Sequence, residues 1–266
     1  MKRASLLCLL LLVAACRTNP YTGRLQAYGF SEEHMNSLGE KSYAEMTGPE
    51  SKTRLLKDPR YLEPLQRVGA AISLAADKPD YEWEFRLIDD PKMVNAWALP
   101  GGKIAFYTGI YPVLQDEAGM AIVMGHEVMH ALLEHSNERM TQQVGTAVVL
   151  TAAAVGLHEN EHRGEILAAL GAGAALGSIL PYSRLHETEA DEQGLYLAAA
   201  AGYNPEAAIG VWQRMAKLSG GKSPPAFLST HPATQDRIDN MRKWMPRAMQ
   251  IYEQSVKKPN RPLPMP

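Results

Sequence analysis

The chain has 266 residues, 45% apolar and 21% charged, with 27 Lys and Arg against 29 Asp and Glu for a net charge of -2. Those proportions exclude a disordered chain, and the lack of a dense basic run excludes a surface that tracks nucleic-acid phosphates. A mean hydropathy of -0.24, with no uninterrupted apolar run of about 18 residues, excludes a polytopic membrane protein. The length predicts one substantial core.

Residues 1–15 begin with Lys2 and Arg3, continue through an apolar stretch at 6–13 and end on Ala14 and Ala15, the layout of a secretory signal peptide. Val13-Ala14-Ala15 before Cys16 resembles the bacterial lipobox. That resemblance implies a mature chain that starts at Cys16 and is anchored to a membrane through lipid on it. Arg17 after the cysteine resembles the pattern sorted to the outer membrane, which implies a location facing the periplasm. Loss of Cys8 with the signal and acylation of Cys16 would leave no disulfide.

Residues 16–30, rich in turn formers, are read as a tether. A helix follows Ser31, with Glu32 and Glu33 in its first turn. Asp58-Pro59 opens a second helix, in which Leu62, Leu65, Val68 and Ile72 repeat at helical spacing up to Ala76. Residues 83–88 alternate as a strand, and 93–99 and 103–108 flank the turn residues Pro100-Gly101-Gly102, so a small antiparallel sheet is predicted. Beyond Asp116 the pattern is helical. Two Ala/Gly-rich apolar runs, 144–157 and 166–180, are separated by polar residues and are each too short to span a bilayer. They are predicted to be two buried helices packed through small residues, the alternative being a membrane-dipping hairpin. Later helices are expected to open at Asn204-Pro205 and His231-Pro232, with Pro246 restarting the last one and 257–266 forming a loose Pro-rich tail.

His126-Glu127-Val128-Met129-His130 is an HExxH motif, for which chance predicts roughly 0.02 occurrences in such a chain. On a helix the two imidazoles share a face and reach one zinc ion, while Glu127 lies beside the remaining coordination position and can take a proton from water. A catalytic zinc needs a third protein ligand. Glu187 is the candidate, with Asp191 one turn later placed to bond the free ring nitrogen of a ligating histidine. His186 is its rival. His135 lies off the ligand face and is read as structural, and His158 and His162 as solvated surface.

HExxH followed 61 positions later by Glu187, in a SRxxExEADxxG context, resembles metallopeptidase family M48, with its HtpX-like and Oma-type proteases and CaaX prenyl endopeptidases. The resemblance runs from about Asn95 to Arg237. Asn95-Ala96-Trp97-Ala98-Leu99-Pro100-Gly101-Gly102 looks like the family's NAxxxPGG hairpin, which implies that Asn95, Ala96 and Trp97 bind substrate backbone. Thr230-His231-Pro232 with Arg237 resembles the THPxxxxR signature. That implies for His231 the role of an oxyanion donor or of a fourth ligand that silences the enzyme, the alternative being a plain helix cap before Pro232, and for Arg237 either the oxyanion or an ion pair with Glu187 or Asp191. Two features depart from the family: Glu134 precedes His135 where members often carry Arg, and the transmembrane helices of HtpX-like members are missing.

The expectation is an α+β, zincin-type (gluzincin-like) fold, mainly helical with a small antiparallel sheet, its metalloprotease domain at 31–256 with one zinc ion per chain. The expected function is zinc endopeptidase activity on unfolded or misassembled periplasmic and outer-membrane polypeptides. The alternatives are a proteolytically silent zinc lipoprotein that acts as chaperone or assembly scaffold and, more weakly, a prenyl-CaaX protease. No nucleic-acid partner is expected.

Overall fold

The computed structural model describes residues 16–174, 180–219, 225–232 and 234–265. The expected signal peptide and the lipobox residues before Cys16 lie outside the described residues. Contacts gather into two compact units, Met1–Met35 with Leu133–Glu187 and Asn36–Leu132 with Thr188–Pro266.

Helix α1, Glu32–Thr47, is opened by Ser31, whose Oγ accepts the His34 N–H at 3.2 Å. In the larger unit, α2 is Pro59–Ala76, with Asp58 accepting the Arg60 N–H and Asp77 ending the helix in the left-handed region. Its buried stripe is Leu65, Val68 and Ile72, the spacing that drives an amphipathic helix onto a core.

Strands β3 (Glu84–Ile88), β4 (Ala96–Leu99) and β5 (Lys103–Tyr107) form one sheet in the order β3-β5-β4. The β4–β5 hairpin is antiparallel and turns on Gly101 and Gly102, both at φ above +80°. β3 runs parallel to β5, so the sheet is mixed rather than antiparallel as predicted. Alternation has the same period in either direction, and only the 89–95 crossover, which leaves a gap that β5 fills, fixes the sense. The outer edge of β3 is covered, since Leu56 N–H donates to the Leu87 carbonyl and Asp89 N–H to that of Arg54. No strand pairs with the outer edge of β4 among the described residues.

A 3₁₀ turn, Thr108–Ile110, and the short α3, Tyr111–Leu114, lead into α4, Glu117–Leu132, which is buried along almost its whole length. Asp116 opens α4 by accepting the Gly119 N–H at 2.8 Å. Helix α7, Leu180–Ala200, meets α4 backbone to backbone: a Cβ on Gly125 would lie 2.6 Å from the Gly194 carbonyl oxygen, and one on Gly194 2.7 Å from His126 N. Any side chain at either position would part the helices. The remaining helices of this unit are α8 (Ala207–Ser219), α9 (Ala226–Thr230) and α10 (Gln235–Gln254). α10 opens beyond Pro232 and runs through Pro246, where a restart was predicted. One missing backbone bond costs less than the burial of Ile238, Met241 and Ala248 along the same helix returns.

The Pro-rich tail is also not loose. Lys258 N–H donates to Gly202, Glu117 N–H to the Arg261 carbonyl and Leu263 N–H to Gln115, and Leu263 is buried. Proline spacing carried no sign of these partners, which are far away in sequence.

In the smaller unit the stretch read as a tether holds an antiparallel pair, β1 (Cys16–Thr18) and β2 (Leu25–Ala27). Asn19 builds the connecting turn by accepting the Tyr21 and Thr22 N–H groups, with Gly23 at φ +69°. The unit also holds α5, His135–Gly156, and α6, Arg163–Ala174. Glu138, buried on α5, accepts two bonds from Arg24 at 2.8 and 2.7 Å, one from Gln26 at 2.8 Å and one from His186 at 2.8 Å. Burial alone would raise the Glu138 carboxyl, but the bonds from Arg24, His186 and Gln26 outweigh it and hold the group down at about 2. Glu134 pairs with Arg17 and accepts from Asn137.

The first Ala/Gly-rich run is not buried as predicted, since Val144, Val148, Val149 and Val155 are each more than half exposed; in the second, Leu170 is 43% exposed and residues 175–179 lie outside the described residues. Small residues permit close packing but do not supply a partner. No helix among the described residues is long and apolar enough to cross a membrane.

Glu138→Gln should destabilise the fold by about 2 to 4 kcal/mol at pH 7, because it removes the charge that Arg24 is paired with in a dry setting. The ionised carboxylate stabilises the fold fully above its ordinary value of 4.5 and progressively less as pH falls from there towards about 2. Urea unfolding of both proteins from pH 7 to pH 2 should show their difference shrinking over that window.

Candidate metal centre

Helix α4 places His126 and His130 one turn apart, with their Nε2 atoms 3.2 Å from each other. His231, at the C-terminal end of α9, brings Nδ1 to 3.2 Å from His126 Nε2. Glu187 completes the group: one donor atom from each of His126, His130, Glu187 and His231 lies within 4.8 Å of all the others. Glu187 stands on α7 one turn before Asp191, and the division between the units falls just after it, inside that continuous helix. Four donors at bonds of 2.0–2.1 Å in a tetrahedron are about 3.3 Å apart, so the 3.2 Å spacings fit zinc.

The orientation of His126 is fixed from behind. Its Nδ1 is 2.9 Å from Asp191 Oδ1, and Arg237 grips the same carboxylate with Nε on Oδ2 at 2.7 Å and Nη2 on Oδ1 at 2.6 Å. Burial alone would raise the Asp191 carboxyl, but the Arg237 charge and the bond to His126 hold it below the usual carboxylate range. An ionised Asp191 keeps the proton on Nδ1 and turns the Nε2 lone pair towards the other donors. Arg237 in turn lies 3.6 Å over the Trp212 ring and donates Nη1 to the Pro232 carbonyl at 3.1 Å.

Glu127 is buried beside the two histidines, and its Oε1 is 3.5 Å from His231 Nε2. One ring edge of His231 therefore faces the donor cluster and the other faces Glu127. His231 is set by its backbone N–H on the Phe227 carbonyl at 2.8 Å, and its ring lies 4.7 Å from that of Phe227.

Of the residues singled out from sequence, the structure gathers His126, Glu127, His130, Glu187 and His231 at one point, with Asp191 behind them. Arg237 stands at the Asp191 carboxylate, the carboxylate pairing that was one of its two readings from sequence. His186, the rival ligand, is turned away onto Glu138 and stacks on His135 at 4.1 Å. Asn95 precedes β4 and accepts the Tyr107 N–H, while Ala96 and Trp97 lie in β4 opposite Phe106 and Ala105. β4 packs against α4, which puts its uncovered edge beside the HExxH helix. Cys16 begins β1 and is exposed. Sequence reasoning missed Trp212 and Phe227, whose rings stand 5.8 and 6.4 Å from that of His126. An isolated aromatic on an amphipathic helix carries no sign of what it covers.

The sequence profile of Peptidase family M48 matches residues 59–245. The chain is 38% identical over 195 residues to the mitochondrial metalloendopeptidase OMA1 of Schizosaccharomyces pombe, covering 72% of this chain and 55% of that protein. It is 30% identical over 195 residues to a Vibrio cholerae protein whose name gives it as a candidate β-barrel assembly-enhancing protease, covering 71% and 40%. It is 27% identical over 227 residues to the Escherichia coli metalloprotease LoiP, covering 83% and 84%. The chain spans about half the length of the OMA1 relatives it matches.

Asp191→Asn should weaken zinc affinity about 10- to 100-fold, since the amide cannot hold the same His126 tautomer, and should also lower stability by leaving the buried Arg237 charge without its partner. Competition with a fluorescent chelator measures the affinity. An unchanged affinity would show that His126 does not depend on the Asp191 charge.

Proposed function

The chain belongs to peptidase family M48, and on that premise we propose that it is a zinc-dependent endopeptidase acting on unfolded or misassembled proteins of the bacterial cell envelope. The observation that carries the reading is the convergence of His126, His130 and Glu187 beside a buried Glu127. These three side chains would hold zinc, which when bound lowers the pKa of water and polarises a carbonyl. Glu127 takes a proton from the attacking water and returns it to the leaving amine. An extended substrate pairs with the uncovered edge of β4 from Asn95 to Trp97. Backbone pairing of this kind accepts many sequences in one orientation. Lipid on Cys16, at the exposed start of β1, would tether the enzyme at the outer membrane facing the periplasm, and the name of the Vibrio cholerae relative supports an envelope setting.

His231 supports a resting state within the same reading. Its Nδ1 stands as far from His126 Nε2 as His130 does, the place of a fourth ligand, and a closed tetrahedral site leaves no position for water. The scaffold alternative draws on the same contact, and kinetics separate the two. Glu127→Gln should keep zinc and lose activity on an unfolded outer-membrane protein at least a hundredfold; a chain that never cleaves would refute the peptidase reading. His231→Ala should raise the rate by opening a coordination position. A large loss of rate with zinc retained would instead assign His231 to the oxyanion.

A further inference from the structure

The C-terminal strap builds a second site, away from the histidine cluster. Gly202, at φ +92°, lets it approach: a Cβ there would lie 2.2 Å from the Val256 carbonyl oxygen, and the Lys258 N–H bonds to the Gly202 carbonyl at 2.8 Å. The strap then crosses the start of α4, where Glu117 N–H donates to the Arg261 carbonyl and Asn260 Oδ1 accepts the Ala118 N–H. Between strap and α2 lies a cavity of about 370 Å³, in the size range of small-molecule sites.

Its wall is a face of α2 that the core does not use. Arg67, Ala70, Ala71 and Leu74 recur at the spacing of one helical face, on the side of α2 turned away from the buried stripe, and Leu74 is 81% exposed. Tyr203 closes the inner end. Its side chain is 3% exposed and lines the cavity, yet its hydroxyl makes no hydrogen bond with the described residues. The mouth carries Lys258 and Arg261, whose charged ends form no hydrogen bond or ion pair with the described residues. The one carboxylate in the lining, Glu117, is spent on Arg67 at 2.6 Å. The cavity thus offers a hydroxyl at its inner end and two unspent cations above an apolar wall. A hydroxyl and two exposed cations that converge on one apolar wall are matched by an anion on an apolar body.

We propose that this cavity binds a carboxylate carried on an apolar chain, with Arg261 and Lys258 on the carboxylate, the Tyr203 hydroxyl donating to it, and the chain against Ala70, Ala71 and Leu74. Two sources share that chemistry, a short fatty acid and the C-terminal carboxylate of a polypeptide with apolar last residues. The site stands independently of the peptidase reading.

Isothermal titration of the full chain with octanoate, octanamide, and a leucine-ended tripeptide as free acid and as amide tests it. At least one acid should bind saturably and at least tenfold more tightly than its amide. Arg261→Gln with Lys258→Gln should abolish that preference, and Tyr203→Phe should weaken the acid severalfold. Both cations are exposed, so their replacement leaves the fold and its backbone contacts in place. Tighter binding of octanoate identifies a fatty acid as the source, and tighter binding of the peptide acid a polypeptide terminus. Equal binding of acid and amide, acid binding unchanged in the double variant, or no saturable binding of either acid up to about 10 mM would overturn the proposal.

Discussion

The rest of the metal centre depends on one buried carboxylate. Asp191 is held on both oxygens by Arg237 and stands 2.9 Å from His126 Nδ1, so a single ionised group sets the tautomer and rotation of the histidine that lies closest to the other donors. Burying an anion is costly unless charge and hydrogen bonds replace water, and the forked guanidinium supplies both. Trp212 then covers the guanidinium, and Pro232 accepts from its remaining edge, one residue from His231. The clamp that orients His126 therefore also fixes the chain that delivers His231. Gly125 and Gly194 provide the other condition, because only two helices in backbone contact bring Asp191 within reach of a residue on α4.

The smaller unit repeats the same chemistry for another end. Glu138 is a second buried carboxylate, again gripped twice by an arginine and bonded by a histidine. Here the histidine, His186, is stacked on His135, and no donor cluster lies beyond it among the described residues. The product is structural: Arg24 and Gln26 tie the β1–β2 hairpin, and with it Cys16, to helix α5. A lipid on Cys16 would thus be joined to folded chain almost at once, not through a slack linker.

The helices and the two histidines of the HExxH motif were legible in the sequence because their signals are local. Asp58-Pro59, Ser31 and the 126–130 spacing each act within one or two helical turns. Asp191 was also legible, as the residue one turn beyond Glu187. What escaped depended on partners distant in the chain. The parallel sense of β3 depends on a crossover, the order of the tail on Gly202 and Gln115, and the role of Arg237 on which carboxylate it meets. His186 and Glu187, adjacent in sequence, illustrate the limit: both suit zinc, and only the helix rotation set by the Gly194 contact and the Glu138 bond separates them. The exposure of Val144, Val148 and Val149 escaped for the opposite reason, since an apolar run signals burial whether or not the fold supplies a cover.

Zinc-edge anomalous diffraction from crystals of the zinc-loaded protein tests the central claim most directly. The account predicts one strong peak bonded to His126 Nε2, His130 Nε2 and a Glu187 oxygen, with Asp191 still bridging His126 Nδ1 and Arg237. A peak between His186 and Glu138, or a His126 ring turned away from Asp191 in the zinc-bound protein, would contradict it.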